Sequence, residues 1–370
     1  MRIRHMTVTG CNCVVPLLGT VLQFAPRLET LRNTGWFSEK RVVPSSTTPA
    51  DVASALERLE IDVAYVDDCR HLPPTLSVLD VEWPADESGD NTTPAFAARW
   101  TAAIVERFSA LTRLRIGHVG SRNVYSLETL TERLPQLTDL SVPYCVIPAA
   151  PLVASRLETL ACTFLLPDAS LAATSSTSSS SPTTTTAPRV VAAPCLLGPA
   201  LHTLDLVGTM DRLRFECGIE LAASAPRLVS LAGLLVASDA EFAQATAALS
   251  HARLHTLRLR APGVTTMTPL RVFSDSLRSL HVDRYHVLSR ILAEVAPKDR
   301  SRAAVERVSE VVRHRWPALP KLVRLALHNV LDERDMHAVI ARYPPEVDTS
   351  TSWGAERHVG HAYRHDIVKF

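Results

Sequence analysis

Apolar and polar positions follow one recurring frame along this chain. A leucine is followed three residues later by a second leucine and two residues after that by another apolar side chain, giving L-x-x-L-x-(apolar). The frame appears in APRLETL around Leu28, PPTLSVLDV (73–81), SALTRLRI (109–116), LPQLTDLSV (134–142) and ASRLETLAC (154–162). It continues in PALHTLDL (199–206), APRLVSLAG (225–233), HARLHTLRL (251–259), SDSLRSLHV (274–282) and LPKLVRLAL (319–327). RIRHMTV (2–8) fits through Ile3, Met6 and Val8, which makes eleven copies. The position five after the first leucine is apolar or Cys in nine of them, Asn33 and Gly233 being the exceptions. Copies beginning at Leu111, Leu137, Leu201, Leu228 and Leu254 include neighbours 26 or 27 residues apart. A regular period of this length marks a stacked array rather than a chance abundance of leucine.

The end of each copy alternates apolar and polar residues, which predicts a short strand. Between copies, DVASALERL (51–59), SLETLTERL (126–134) and DAEFAQATAALSHA (239–252) space their apolar residues by three and four, which predicts helices. Ser and Asp at their starts are good N-caps. VVPLLGTVLQFA (14–25) follows the first strand in the same place. It mimics a signal peptide after Arg2 and Arg4, but Pro16, Gly19 and Gln23 interrupt it and no small-x-small cleavage site follows. It is therefore read as a repeat helix.

A strand that buries only three side chains on one side cannot fold alone. Stacked side by side, the copies would bury those rows as a continuous ladder. The expectation is an α/β fold: a curved parallel sheet of about eleven strands inside, helices outside, at about 4.8 Å per strand. This pattern resembles the leucine-rich repeat family, most closely its ribonuclease-inhibitor-like class with long helical repeats. The resemblance implies a solenoid over 1–345. The family usually places Asn or Cys eight residues after the first leucine; here only Cys11 and Cys145 match. Such loose arrays are similar to the repeat regions of fungal F-box proteins. That likeness implies substrate recognition in a ubiquitin ligase, although no F-box segment is expected ahead of a first repeat that begins at Ile3.

Three segments depart from the period. The Ser/Thr tract 173–188, within an insertion spanning 168–195, has no apolar residue to hold it to a core and reads as disordered. Ser181-Pro182 is its best phosphorylation candidate, and a neutral expansion is the preferred account. ADESGDNTTP (85–94) reads as a loop. RSRAAVERVSEVVRHRW (300–316), within an insertion at 288–320, reads as an amphipathic helix through Val305, Val308, Val312 and Trp316. Residues 346–370 lack the repeat and read as a tail or cap.

The chain has 370 residues, 46% of them hydrophobic, and a formal net charge of +1. That is enough to build a large core. It supplies no basic footprint for nucleic acid or an anionic membrane. No apolar run reaches the length of a membrane span. Seven irregularly spaced cysteines read as reduced, buried thiols, which places the protein in the cytoplasm or nucleus. Thirteen glycines form no phosphate-binding loop, and there is no G-x-S-x-G or dinucleotide fingerprint. His358, His361 and His365 share one face if helical and offer the competing reading, a metal-binding or enzymatic protein. Gly354 and Gly360 and the lack of an H-E-x-x-H glutamate weigh against it. No enzyme activity, cofactor or metal is expected.

Side chains two, four and six residues after the first leucine point away from the ladder. On the concave face they would form a polar strip for another protein: Asp80, Glu82, Arg113, Arg115, Asp139, Asp205, Arg258, Arg260, His281, Asp283, Arg324 and His328. Arg113 and Arg115 should lie between acidic strands, and Arg258 and Arg260 beside His281 and Asp283. Cross-strand charge compensation explains the same pattern equally well. The sequence reading is thus a monomeric, non-catalytic interaction scaffold with an unidentified protein partner.

Overall fold

The structure, a computed structural model, describes residues 3–8, 21, 25–33, 57–62, 72–83, 94–118, 124–146, 151–165, 197–206, 219, 222–283, 310–311, 314–328 and 339–352. The chain divides into two units, Met1–Leu201 and His202–Phe370. In the first, β1 (His5–Val8), β2 (Thr30–Asn33), β3 (Arg58–Asp62), β4 (Val78–Trp83), β5 (Arg113–His118), β7 (Asp139–Val146) and β8 (Thr159–Leu165) lie side by side in chain order. A short β6 (Val124–Ser126) pairs with β7 alone. In the second, β9 (Thr203–Leu206), β10 (Ser230–Leu235), β11 (Thr256–Arg260), β12 (Ser279–Asp283), β13 (Arg324–His328) and β14 (Asp348–Ser352) follow in order. Every pairing described within either unit is parallel. Few helices are described over their full length: α1 (Pro94–Arg107), α2 (Leu127–Arg133), α3 (Asp239–Ala248) and a 3-10 helix (Thr268–Phe273). This is an α/β protein built on long parallel sheet.

Each of the eleven copies supplies one strand, and the leucines stack in register. In the first unit the row runs Met6, Leu31, Leu59, Leu79, Leu114, Leu140, Leu160. In the second it runs Leu204, Leu231, Leu257, Leu280, Leu325. A second row joins Val81 to Ile116 and, in the second unit, Leu234, Leu259, Val282 and Leu327. A third row is the first leucine of each copy, from Leu28, Leu76 and Leu111 to Leu254, Leu277 and Leu322, all buried. Fully burying one such side chain contributes about 1.5–3 kcal/mol, so these rows dominate the core.

The backbone entering each strand repeats just as closely. The carbonyl of the residue after the first leucine accepts two N–H groups from the next copy. Ser77 O accepts from Thr112 and Arg113, Thr112 O from Thr138 and Asp139, and His255 O from Arg278 and Ser279, at 2.8–3.1 Å. Where that residue carries a hydroxyl, the side chain joins in. Ser77 Oγ donates to Glu57 O, Thr112 Oγ1 to Ser77 O and Thr138 Oγ1 to Thr112 O. A hydroxyl ladder at the strand entry therefore ties the copies together across β3, β4, β5 and β7.

Three differences from the sequence reading have physical causes. DVASALERL is read as a helix through residue 59, but Arg58 begins strand β3. The frame hidden there is Leu56-x-x-Leu59-x-Ile61, and Leu59 aligns with Leu31 and Leu79. β14 carries no leucine at all: Thr349 and Thr351 stand opposite Leu325 and Leu327, held by main-chain pairing. The Gly233 exception is a bulge. Register between β10 and β11 shifts after Leu231, Gly233 takes φ +78°, and Leu234 moves into the buried row. The predicted helices at 126–134 and 239–252 hold, as α2 and α3. Ser126 and Ser238 cap them, their hydroxyls accepting from Thr129 N and Glu241 N. Pro94, the end of the expected 85–94 loop, opens α1, whose Ile104 is fully buried with the Phe108 that follows it.

Of the 300–316 helix, Glu310, Val311, His314 and Arg315 are helical, Trp316 lies in a bend just past them, and the remainder lies outside the described residues. Trp316 is buried, donating from Nε1 to Tyr343 Oη at 2.6 Å, while the Tyr343 hydroxyl donates to Pro317 O. Burial pushes the Tyr343 phenol up to about 12, against the opposing effect of that Trp316 bond. The 14–25 helix lies outside the described residues except for Val21 and Ala25, and so does the whole 173–188 tract. The three C-terminal histidines lie outside them too. Cys145 and Cys162 are buried and in no disulfide; the other five cysteines are outside the described residues.

Candidate functional site

Alternation along each strand decides which side chains are left for chemistry. In β9 and β12 buried and partly exposed residues strictly alternate, so positions two and four after the first leucine, and in β12 position six, turn to the face opposite the leucine rows. In the first unit this places Asp80 on β4, Arg113 and Arg115 on β5, and Asp139 on β7. Register sets Asp80 opposite Arg115 and Arg113 opposite Asp139. Arg113 Nε lies 3.1 Å from Asp139 Oδ2, and Arg115 Nη1 lies 3.7 Å from Asp80 Oδ2. Burial pushes the Asp139 carboxyl above its usual range, with Arg113 and then Arg115 pulling it back. Glu82 lies on β4 opposite Gly117. The two arginines do sit between acidic strands, and each has a carboxylate neighbour.

The second unit is arranged differently. Asp205 lies on β9 opposite Ala232. Arg258 stands opposite His281, which stands opposite Ala326; Arg260 stands opposite Asp283, which stands opposite His328. Arg260 Nε lies 3.5 Å from Asp283 Oδ2. Arg324 Nε lies 3.3 Å from Asp348 Oδ2, a partner that sequence reasoning missed because β14 has no leucine to reveal it. His281 and His328 are diagonal neighbours rather than direct ones. Ala326, the small residue between them in register, leaves room for the His328 ring to stack on His281, with centroids 4.2 Å apart and planes 22° from parallel.

Both imidazoles are held neutral. Burial lowers the His281 pKa to about 3, helped by the Arg258 and His328 charges and opposed by Asp283. Burial likewise lowers His328, with Asp283 opposing and Arg258 reinforcing. Among the described residues Arg258 makes no salt bridge, and its side chain is exposed. Among the described residues, the sheet face thus offers paired charges in both units and, in the second, a guanidinium without a salt bridge beside two stacked neutral imidazoles. Among the described residues no three His, Cys, Asp or Glu side chains converge as metal ligands. No described helix is long and apolar enough to cross a membrane. No family model matches the sequence, and a search of curated proteins finds no similar one.

Proposed function

We propose that both units are leucine-rich-repeat arrays and that the protein is a non-catalytic scaffold whose polar sheet face docks another protein. The carrying observation is the separation of the two sides of the sheet. Leucine rows fill one side, while Asp80, Arg113, Arg115, Asp139, Asp205, Arg258, Arg260, His281, Asp283, Arg324 and His328 occupy the other. Arginines are side chains that interfaces favour. In its most specific form, the reading is substrate recognition in an F-box-type ubiquitin ligase. The likeness of loose repeats supports it, by analogy of fold alone.

Photo-crosslinking in intact cells tests the docking role. A crosslinking residue at Ser279, on the polar face, should capture one reproducible protein species, and the same group at Gln244, exposed on α3, should not. Equal capture from both positions, or none from Ser279, would reject the face as a docking site.

A further inference from the structure

Charges on the described sheet face are matched, strand against strand, almost everywhere. Arg113 has Asp139, Arg115 has Asp80, Arg260 has Asp283 and Arg324 has Asp348. Arg258 breaks the pattern. Its cross-strand neighbour on β12 is His281, and the bulged strand β10 on its other side offers Ser230, Ala232 and Leu235 along the same face, with no acid. A fixed cation without a counter-ion among the described residues, flanked by imidazoles, is an arrangement that sheet stability does not require.

Resting on the reading that this face docks a protein, we propose that Arg258, His281 and His328 receive the carboxylate of a Glu or Asp from an acidic peptide segment, with a proton taken up as it binds. Arg258 presents two parallel N–H donors that fit a carboxylate side by side. A phosphate dianion would need a second free cation, and the next arginine, Arg260, is already beside Asp283. The stacked imidazoles form the half-buried floor of the site, and a buried carboxylate is a partner that favours their charged form.

The groups facing this pair are Arg258 and Arg260 on β11, Asp283 on β12, Arg324 on β13 and Asp348 on β14. Burial first, and Arg258 after it, make an imidazolium unfavourable here while no carboxylate is bound. An incoming carboxylate neutralises Arg258 and adds its own attraction, so the imidazole pKa values rise from their depressed positions. By linkage, proton uptake on binding means tighter binding as pH falls.

Fluorescence anisotropy with labelled hexaglutamate at fixed ionic strength tests this. Glu side chains stay largely ionised at pH 5.5, their usual pKa being about 4.3. The full-length protein should bind the peptide at least fivefold more tightly at pH 5.5 than at pH 7.5. Arg258→Gln should weaken binding at least tenfold at both, whereas Arg271→Gln, exposed on the 3-10 helix, should not. His281→Asn or His328→Asn should retain binding at pH 7.5 but reduce the pH ratio below twofold, with unchanged circular dichroism confirming the fold. Absence of binding, indifference to Arg258→Gln, or an intact pH ratio in both histidine variants would each overturn the proposal. A protein captured from Ser279 alongside a negative peptide result removes only this inference; peptide binding without such capture removes only the docking reading.

Discussion

Single positions in this protein have separable duties because each strand shows one side to the core and one to the outside. Gly233 is the clearest case of a residue set by backbone alone. Its φ of +78° lies in the left-handed region, and a Cβ there would sit 1.8 Å from the Leu206 carbonyl oxygen. Gly233→Ala should therefore cost at least about 2 kcal/mol of stability, readable by chemical denaturation. A cost below about 0.5 kcal/mol would show that the bulge is not held there. His281 gives a pH prediction of definite sign. Its folded pKa lies near 3, below the unfolded value of about 6.5. The folded state thus binds fewer protons between those values, so its stability is complete above about pH 6.5 and falls as pH drops through that window. Thermal melts should show His281→Asn losing less stability than the parent between pH 7 and pH 4.5. Equal slopes would contradict the assignment.

For elements taken as units, the caps and the strand entries matter most. α3 is anchored three ways. Ser238 accepts from Glu241 N, Glu241 accepts from Ala237 N, and Asp239 accepts from the backbone of Thr265 and Thr266 as well as from the Thr265 hydroxyl. Ser238→Ala removes one of these and should cost about 1 kcal/mol in denaturant melts. Asp239→Ala, which leaves two partly buried N–H groups without their acceptor, should cost more. The reverse order would mean that the helix cap outweighs the tie to the following loop. Strands were legible in the sequence wherever two leucines and a third apolar residue marked them. β3 escaped because Val52, Leu56 and Leu59 also satisfy a helical period, and a short apolar window cannot arbitrate between the two. β14 escaped because its residues are all polar, so main-chain pairing and the Arg324–Asp348 ion pair hold it without a leucine to mark it. The hydroxyl ladder of Ser77, Thr112 and Thr138 was visible in principle, as a run of hydroxyls directly after the first leucine.

Across the chain, what the sequence conveyed best was periodic burial, and what it conveyed least was the state of the charges. The polar face was readable by counting alternate positions, and the pairing of Arg113 and Arg115 with flanking acids followed from it. The stacking of His281 on His328 did not, because it depends on a diagonal neighbour and on the small size of Ala326. Nor did the lack of a counter-ion at Arg258 among the described residues, which depends on where the β10 bulge places its neighbours. The proposed docking role needs the near-neutral total charge to be distributed unevenly, with Arg258 locally unmatched among the described residues.

All of this depends on leucine rows facing inward from successive parallel strands. Single cysteines placed in turn at Thr256, Leu257, Arg258, Leu259 and Arg260, and labelled by a maleimide under native conditions, test that directly through peptide-resolved mass spectrometry. The account predicts labelling at 256, 258 and 260 with protection at 257 and 259, and the same phase along 279–283. Uniform labelling, or protection in the opposite phase, would contradict it.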